Sequence, residues 1–270
     1  MPEVSISAET VFQIGPIPVT NSMIATWLTM AVLIGLALYV RRRAGLVPNR
    51  LQGLLEWPTE YVLDIVKGAD SKYGVIYFPL IGALFLFILT ANWMSLLPGF
   101  GTIGVYVQHG SDRVLIPFLR AATADLNTTL AMAIVSVVVF FGFGIVVHGP
   151  VGYARTFLYG SVLDPFIALL ELIGNLFRTV SLSIRLFGNI FAGEVIQIIF
   201  LSLGPAAFLV PAFFIILEVL FGLIQAAVFT LLSMTYIALA VMEHGSGHAE
   251  SAAPTSGLDD GGPAEVAIPS

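Results

Sequence analysis

The chain has 270 residues, of which 57% are hydrophobic and only 10% charged, with a formal net charge of −6 and a mean hydropathy of +0.95. Soluble domains carry about 25% charged residues, so this composition excludes a soluble protein and predicts an all-α integral membrane protein. The chain has no cysteine, which excludes disulfides and thiolate metal sites, and its four histidines lack ligand spacing. We therefore expect no metal, no cofactor and no nucleic-acid partner.

The first predicted span covers about residues 21–40, close to the ~20 residues that a bilayer requires. Residues 1–20 precede it and lack the basic start of a cleavable signal. Six of the eleven basic residues lie between the first two spans, namely Arg41, Arg42, Arg43, Arg50, Lys67 and Lys72. By the positive-inside rule this loop is cytoplasmic, which places residues 1–20 outside the cell.

Apolar residues recur with a helical period over about residues 51–71, within that basic loop. The pattern favours an amphipathic helix lying on the cytoplasmic membrane surface, with a solvated linker as the alternative. Further spans are predicted at about 76–97 and 124–147, joined by an outside loop that is polar and contains glycine. Thr123 or Asp125 is expected to cap the helix of the third span.

The last two apolar segments, about residues 164–203 and 206–242, are too long to cross a membrane upright. A helix over the first of them would be ~60 Å long, whereas the hydrocarbon core is ~30 Å thick. No turn signal interrupts either run, so we predict two long, strongly tilted helices that form a hairpin, rather than two pairs of shorter spans. About five segments then cross the membrane within a domain of residues 21–243, and the acidic tail, residues 244–270, is expected to be disordered.

An arginine at bilayer depth is the most informative residue of the chain. Arg185 stands in the run SLSIRLFGNIFAGEVI, and an arginine at the centre of a membrane helix costs roughly 2.5–3.5 kcal/mol on insertion scales. Its guanidinium cannot lose a proton to avoid that cost. No acidic residue lies three or four positions away in the same helix to pair with it. We therefore predict that this positive charge is functional.

Other polar residues accompany Arg185 at regular spacing. Glu171, Arg178 and Arg185 are seven residues apart, which places them in one stripe along a helix, and Asn189 extends that stripe. Glu194, nine residues after Arg185, falls on the opposite face. A pairing of Glu171 with Arg178 alone, without further function, is an equally good interpretation of those two residues.

The last helix carries a second polar stripe. Glu218 and Gln225 are seven residues apart, and Tyr236 falls close to the same line. Gln225 and Asn189 would serve equally as hydrogen-bonding contacts between helices, and Glu218 as a neutral packing residue. Because ionisable residues in membrane spans are rare and mark ion pathways in most cases, we favour the functional interpretation.

The run SLSIRLFGNIFAGEVI closely resembles the signature of subunit a of F-type ATP synthases, the membrane stator beside the rotating c-ring. The segment TADLNTT at the third span and Gln225 in the last helix are similar to the same family, and the resemblance covers about residues 41–243. It implies a non-catalytic subunit of the bacterial cell (inner) membrane, whose partners are the c-ring, the peripheral stalk b subunits and the lipid bilayer. The transported ion is expected to be H⁺, with Na⁺ as the alternative.

The resemblance also implies roles for single residues. Arg185 would face the essential carboxylate of each passing c-subunit, and Asn189 and Gln225 would line the surface around it. Two acids, Glu194 and Glu218, would belong to an access path from the outside face. Glu171 would lie toward the cytoplasmic exit path. The resemblance assigns no role to Arg178 or Tyr236, which remain further candidates for the ion pathway. Arg178 and the following Thr stand where many bacterial members have Lys-Pro.

Two other classes of protein would explain the polar residues less well. A secondary transporter could use the glutamates as a proton relay, but such proteins usually contain internal repeats, and none is visible in this sequence. A structural anchor for a peripheral complex would not require an arginine and two amides at bilayer depth. The function that the resemblance implies is that of a stator with two offset ion half-channels, which couples ion passage to rotor rotation and ATP synthesis.

Overall fold

Helices dominate the computed structural model, which describes residues 8–43, 45, 50–70, 72–101, 103–109, 112–151, 164–202 and 209–242. The long helices of this part are α1 (Asn21–Arg43), α2 (Arg50–Ala69), α3 (Gly74–Met94), α4 (Leu126–His148), α5 (Asp164–Ser202) and α6 (Leu209–Met242). They correspond to the five predicted spans and the predicted surface helix. The all-α membrane class predicted from composition is confirmed.

Four of these helices, α1, α3, α4 and α6, are long and apolar enough to cross a membrane. Of the two remaining long helices, α5 is continuous over 39 residues and carries the charged residues of the predicted polar stripe. Its length agrees with the unbroken helix predicted for this segment. The strong tilt of α5 and α6 stays a prediction, as does the hairpin turn between them, which falls outside the described residues together with the acidic tail.

Short strands occupy the segments before α1 and between α3 and α4, where the sequence analysis predicted none. The strands β1 (Thr10–Ile14) and β2 (Ile17–Thr20) form an antiparallel hairpin. Its turn contains Gly15 at a φ of +62°, a conformation that favours glycine. After β3 (Pro98–Gly101), the strands β4 (Gly104–His109) and β5 (Asp112–Pro117) form a second antiparallel pair. These strands lie at one end of the helix bundle, which we call the strand end.

The bundle is built around α3, which packs against α1, α2 and α6, while α4 packs against α5 and α6. Its core is a continuous apolar cluster that extends across these helices. The largest fully buried members are Tyr77, Ile81, Ile88, Leu186, Phe229 and Ile237. Val62 and Val66 join α2 to this cluster, so the amphipathic helix has one face buried against the bundle. The core therefore fixes the position of α5 through its buried face, represented by Leu186.

Hydrogen bonds between side chains join the helices near the strand end. Ser22 at the start of α1 donates from Oγ to Asp125 Oδ2 at 2.8 Å. The other carboxylate oxygen of Asp125 accepts from the backbone N–H of Asn127 at 3.0 Å, so Asp125 caps α4. Asn92 near the end of α3 accepts a hydrogen bond from Thr123 Oγ1 at 2.7 Å. Because buried polar groups require partners, these bonds hold α1, α3 and α4 in one arrangement.

Candidate functional site

Arg185 lies on the exposed face of α5. Its neighbour Ile184 is also exposed, whereas Leu186 on its other side is completely buried in the core. Within the described part of the chain, no hydrogen bond or ion pair joins Arg185 to another residue. The packing of Leu186 thus turns the guanidinium outward, away from the bundle.

The surface around Arg185 is largely apolar. Large hydrophobic side chains are exposed along both long helices, namely Ile173, Phe177, Val180 and Ile184 on α5 and Phe213, Ile216, Leu220 and Ile224 on α6. An extended apolar surface is typical of contact with lipid or with another protein. A fixed positive charge within it is suited to attract an anionic group carried by a neighbouring molecule.

Arg178, two turns before Arg185, is also exposed on α5. Its guanidinium carbon lies 4.8 Å from the centre of the Tyr236 ring on α6, within the range of a cation–π interaction. The structure thus brings together the two residues whose roles were least certain from sequence. Glu171 belongs to the helical backbone of α5, but its side chain lies outside the described residues, and so does its predicted pairing with Arg178.

Glu194 forms an ion pair that the sequence analysis did not predict. Arg120 donates from Nε to Glu194 Oε2 at 3.2 Å, although the two residues are 74 positions apart. Arg120 lies between β5 and α4 and is only 8% exposed. It belongs to the segment that the sequence analysis predicted to be an outside loop. Its burial depends on tertiary contacts, so no local pattern would have revealed it.

Glu218 on α6 reaches the face of α5 that also carries Glu194. Its Oε2 accepts a hydrogen bond from the side-chain amide of Gln197 at 2.5 Å. Its other carboxyl oxygen lies beside Gly193, where a β-carbon would overlap it. Glu194 and Glu218, predicted to lie in one path, are therefore near each other on facing helices. Gln197 is a further polar residue of this site that the sequence analysis missed.

The two amides predicted near Arg185 have different surroundings. Gln225 is only 5% exposed, and its Nε2 has no hydrogen-bond partner among the described residues. Asn189, one turn after Arg185 on α5, is half-buried. None of the described hydrogen bonds joins Arg185 to either amide. The two amides therefore differ, since Gln225 is buried and Asn189 is partly accessible.

Two polar regions emerge from these positions. Arg185 lies on the outward surface in the middle of α5, while Glu194 and Glu218 lie nearer the strand end. The nine residues from Arg185 to Glu194 correspond to about 13 Å along a helix. Among the described residues, no group of three or more histidine, cysteine, aspartate or glutamate side chains could hold a metal ion. The arrangement is suited to a path in which a small ion passes close to the fixed positive charge of Arg185.

Comparisons with known proteins give one consistent family. The family model of the ATP synthase A chain matches residues 23–238. The chain is 40% identical over 220 residues to "ATP synthase subunit a 2" of Syntrophotalea carbinolica, a match that covers 81% of this chain and 84% of the relative. It is 36% identical over 234 residues to "ATP synthase subunit a" of Moorella thermoacetica, covering 87% and 96%. It is 34% identical over 247 residues to the protein of the same name from Gloeobacter violaceus, covering 91% and 94%.

Proposed function

This chain belongs to the ATP synthase A chain family, the proton-translocating stator subunit of the membrane sector, and we propose that Arg185 is the group that meets the carboxylates of the rotating c-ring. The observation that carries this proposal is the exposure of Arg185 on an apolar face, without a described partner in its own chain. An unpaired guanidinium at bilayer depth is costly. A carboxylate brought by a partner would offset that cost.

The mechanism follows from the charge of Arg185. A rotor carboxyl group can face lipid only when neutral, because an ionised group in hydrocarbon is strongly unfavourable. Next to the guanidinium the ionised form is stabilised, so the carboxyl releases its proton into one half-channel as it arrives. After it passes, it takes up a proton from the other half-channel. A proton that crosses a potential of 100 mV supplies ~2.3 kcal/mol, which gives the rotation its direction.

The two half-channels are proposed to open on opposite sides of Arg185. Glu194 and Glu218 belong to the path that leads to the strand end, which we assign to the outside. Glu171 belongs to the path toward the cytoplasm, with the Arg178–Tyr236 contact beside it. Asn189, half-buried on α5, and Gln225, buried on α6, are assigned to the ion pathway together with Arg185. The guanidinium between the two paths keeps protons from crossing without rotation of the ring.

The orientation and the assembly are part of this proposal. The chain is a multi-pass membrane protein. We propose that it lies in a bacterial inner membrane, with Arg41, Arg42 and Arg43 at the end of α1 on the cytoplasmic side. The exposed faces of α5 and α6 would contact the c-ring, and the b subunits of the peripheral stalk would hold the chain against the torque of the ring. The chain itself performs no catalysis, since ATP is made elsewhere in the complex.

Replacing the central arginine tests the proposal. Arg185→Ala in the whole ATP synthase is expected to abolish ATP-driven proton pumping in vesicles, while the subunit still co-purifies with the c-ring. Arg185→Lys should also lose most of the pumping, because an ammonium lacks the planar fork and can lose its proton. Arg42→Ala, at the exposed end of α1, is the matched control and should pump normally. Normal pumping by Arg185→Ala would refute the proposed role.

A further inference from the structure

The last turn of α3 is held against α6 by two hydrogen bonds that the mechanism above does not use. Trp93 donates from Nε1 to the backbone carbonyl of Val219 at 3.2 Å. Asn92 donates from Nδ2 to the backbone carbonyl of Gly222 at 3.3 Å. A carbonyl oxygen has two lone pairs, so it can accept a side-chain donor in addition to the bond within its own helix. The two bonds therefore hold the backbone of α6 and do not depend on its side chains.

Gly222 allows the end of α3 to come this close to α6. A β-carbon at position 222 would lie 3.1 Å from the β-carbon of Asn92, which is tighter than an ordinary contact. The same β-carbon would lie 3.6 Å from Cδ1 of Trp93, the ring carbon next to Nε1. The face of α6 that carries Gly222 is thus in direct contact with the end of α3.

Glu218 lies on an adjoining face of α6. With 3.6 residues per turn, Gly222 is rotated by about 40° from Glu218 around the helix axis, and Val219 by about 100°. The Glu218 carboxyl group fills the space beside Gly193 of α5, and its Oε2 accepts a hydrogen bond from Gln197. Two neighbouring faces of α6 are therefore held, one by α3 and the other by α5. A rotation of α6 that breaks its bonds to α3 would also withdraw Glu218 from Gly193.

Trp93 has a contact that a membrane-surface tryptophan does not require. Tryptophans at the membrane surface commonly serve as interface anchors, with the indole directed to the headgroups. Trp27 on α1 is 46% exposed and Trp93 is 39% exposed, so the two rings are equally accessible. None of the described hydrogen bonds involves the indole of Trp27, whereas that of Trp93 is bonded to Val219. Interface anchoring alone therefore does not account for Trp93.

We infer that Trp93 is a positioning residue of the outer path: its indole N–H fixes the rotation of α6 and thereby keeps Glu218 beside Gly193. It acts through the backbone of α6 and does not itself touch the transported ion. Asn92 supports the same contact, but its amide also joins Thr123, so its removal would disturb more than α6. The inference rests on the proposed function, since it assigns a residue to one of the two half-channels.

Cysteine cross-linking in the whole ATP synthase measures the rotation of α6, because the chain has no cysteine of its own. Cγ of Glu218 lies 3.3 Å from a β-carbon at position 193, so Gly193→Cys and Glu218→Cys together should form a disulfide on mild oxidation. Adding Trp93→Phe is expected to slow this cross-linking by about 5-fold, the effect of losing one hydrogen bond. Thr129→Cys and Ser183→Cys form the control pair, since their hydroxyl oxygens are 3.0 Å apart on α4 and α5. The control pair should cross-link at an unchanged rate, whereas a general loosening of the bundle would slow both pairs.

The functional measurement uses Trp93→Phe without the cysteines. Proton-driven ATP synthesis in vesicles should decrease by about 5-fold, because Glu218 spends less time at its place in the path. Trp27→Phe, the same substitution at an indole without a described hydrogen bond, is the matched control and should leave the rate unchanged. If Trp93→Phe does not assemble with the c-ring, β-(3-benzothienyl)alanine at position 93 keeps the shape of the ring and removes only the N–H. The same two decreases are then expected.

Unchanged cross-linking between positions 193 and 218 would overturn the inference, and so would an equal slowing of the control pair. Slower cross-linking with normal ATP synthesis would also overturn it, because the position of Glu218 would then have no bearing on transport. Normal pumping by Arg185→Ala would instead remove the proposed function itself, whatever the Trp93 variants do.

Discussion

Glu218 of α6 occupies the space that a side chain at Gly193 of α5 would fill. A β-carbon built at position 193 would lie 2.9 Å from Cδ of Glu218 and would overlap its Oε1. The backbone of Gly193 has an ordinary helical conformation, so the glycine is not required for a positive φ. It is required because the two helices approach each other closely here. The position of an acid in the proposed outer path therefore depends on a residue that has no side chain.

Gly193→Ala is expected to displace the Glu218 carboxyl group and to slow proton-driven ATP synthesis while the subunit still assembles. Overpacking of a well-packed contact costs about 1–3 kcal/mol, so some loss of thermal stability should accompany the slower rate. ATP synthesis in vesicles provides the measurement. Gly142→Ala in α4 is the matched control, because nothing lies within 4 Å of a β-carbon at that position. Equal rates for the two variants would contradict the prediction.

Asn92→Ala is expected to weaken the packing of α3 against its neighbours. Asn92 is 1% exposed, accepts from Thr123 Oγ1 at 2.7 Å and donates to the backbone carbonyl of Gly222 at 3.3 Å. Loss of the amide leaves a buried hydroxyl and a buried carbonyl without these partners, at a cost of about 1–3 kcal/mol. The measurement is the temperature at which the purified complex releases this subunit.

Thr235→Val provides the comparison for Asn92→Ala. Thr235 is exposed, and its hydroxyl bonds only within its own helix in the described structure, to Leu231 O at 2.8 Å. Its replacement should leave the release temperature nearly unchanged. A similar decrease in the release temperature for both variants would contradict the prediction. It would show that the hydrogen bonds of Asn92 to Gly222 and Thr123 stabilise the subunit no more than a bond within one helix does.

Tyr236→Phe and Tyr236→Leu separate the ring of this residue from its hydroxyl group. The Arg178 guanidinium lies over the Tyr236 ring at 4.8 Å, and such contacts contribute about 0.5–2 kcal/mol. Tyr236→Phe retains the ring and should pump protons at nearly the normal rate, whereas Tyr236→Leu should pump more slowly. If Tyr236→Phe is the more damaging variant, the hydroxyl and not the ring is the functional group.

Gln225→Leu is expected to lower proton transport without a large change in the stability of the subunit. The side-chain nitrogen of Gln225 is buried without a described partner, so an apolar replacement removes an unfavourable group and should change stability by no more than ~1 kcal/mol, in either direction. Proton-driven ATP synthesis should nevertheless decrease, because a hydrogen-bond donor that we assign to the ion pathway is lost. A large loss of thermal stability, comparable to that of Asn92→Ala, would show that Gln225 is a structural contact.

Local patterns were sufficient to predict the helical membrane fold. The apolar runs that became α1, α3, α4 and α6 are long enough to require helices, and the period of the segment around Val62 marks the amphipathic α2. Arg185 was selected as a candidate site residue because the free-energy cost of an arginine in a membrane helix depends on its depth in an apolar run. That depth is itself a local property of the sequence. The strands β4 and β5 were missed because they are short and lie in a loop whose glycines and polar residues favour turns.

Contacts between distant residues could not be predicted in the same way. The pair of Arg120 and Glu194 spans 74 positions, and the pair of Gln197 and Glu218 joins two helices whose relative rotation no periodicity specifies. Spacing placed Glu194 on the face opposite Arg185, in agreement with its contact to buried Arg120. The spacing could not identify Arg120 as the cation that pairs with Glu194 on that face.

The composition of α5 has a consequence for the biogenesis of the protein. This helix carries Glu171, Arg178, Arg185 and Glu194 along its length. Each charge on it opposes entry into lipid by a few kcal/mol. Its buried face, formed by Leu182, Leu186 and Ile190, lies against helices that are synthesised both before and after it. We therefore expect that α5 becomes stably inserted in the bilayer only after α6 has been synthesised and can pack against it.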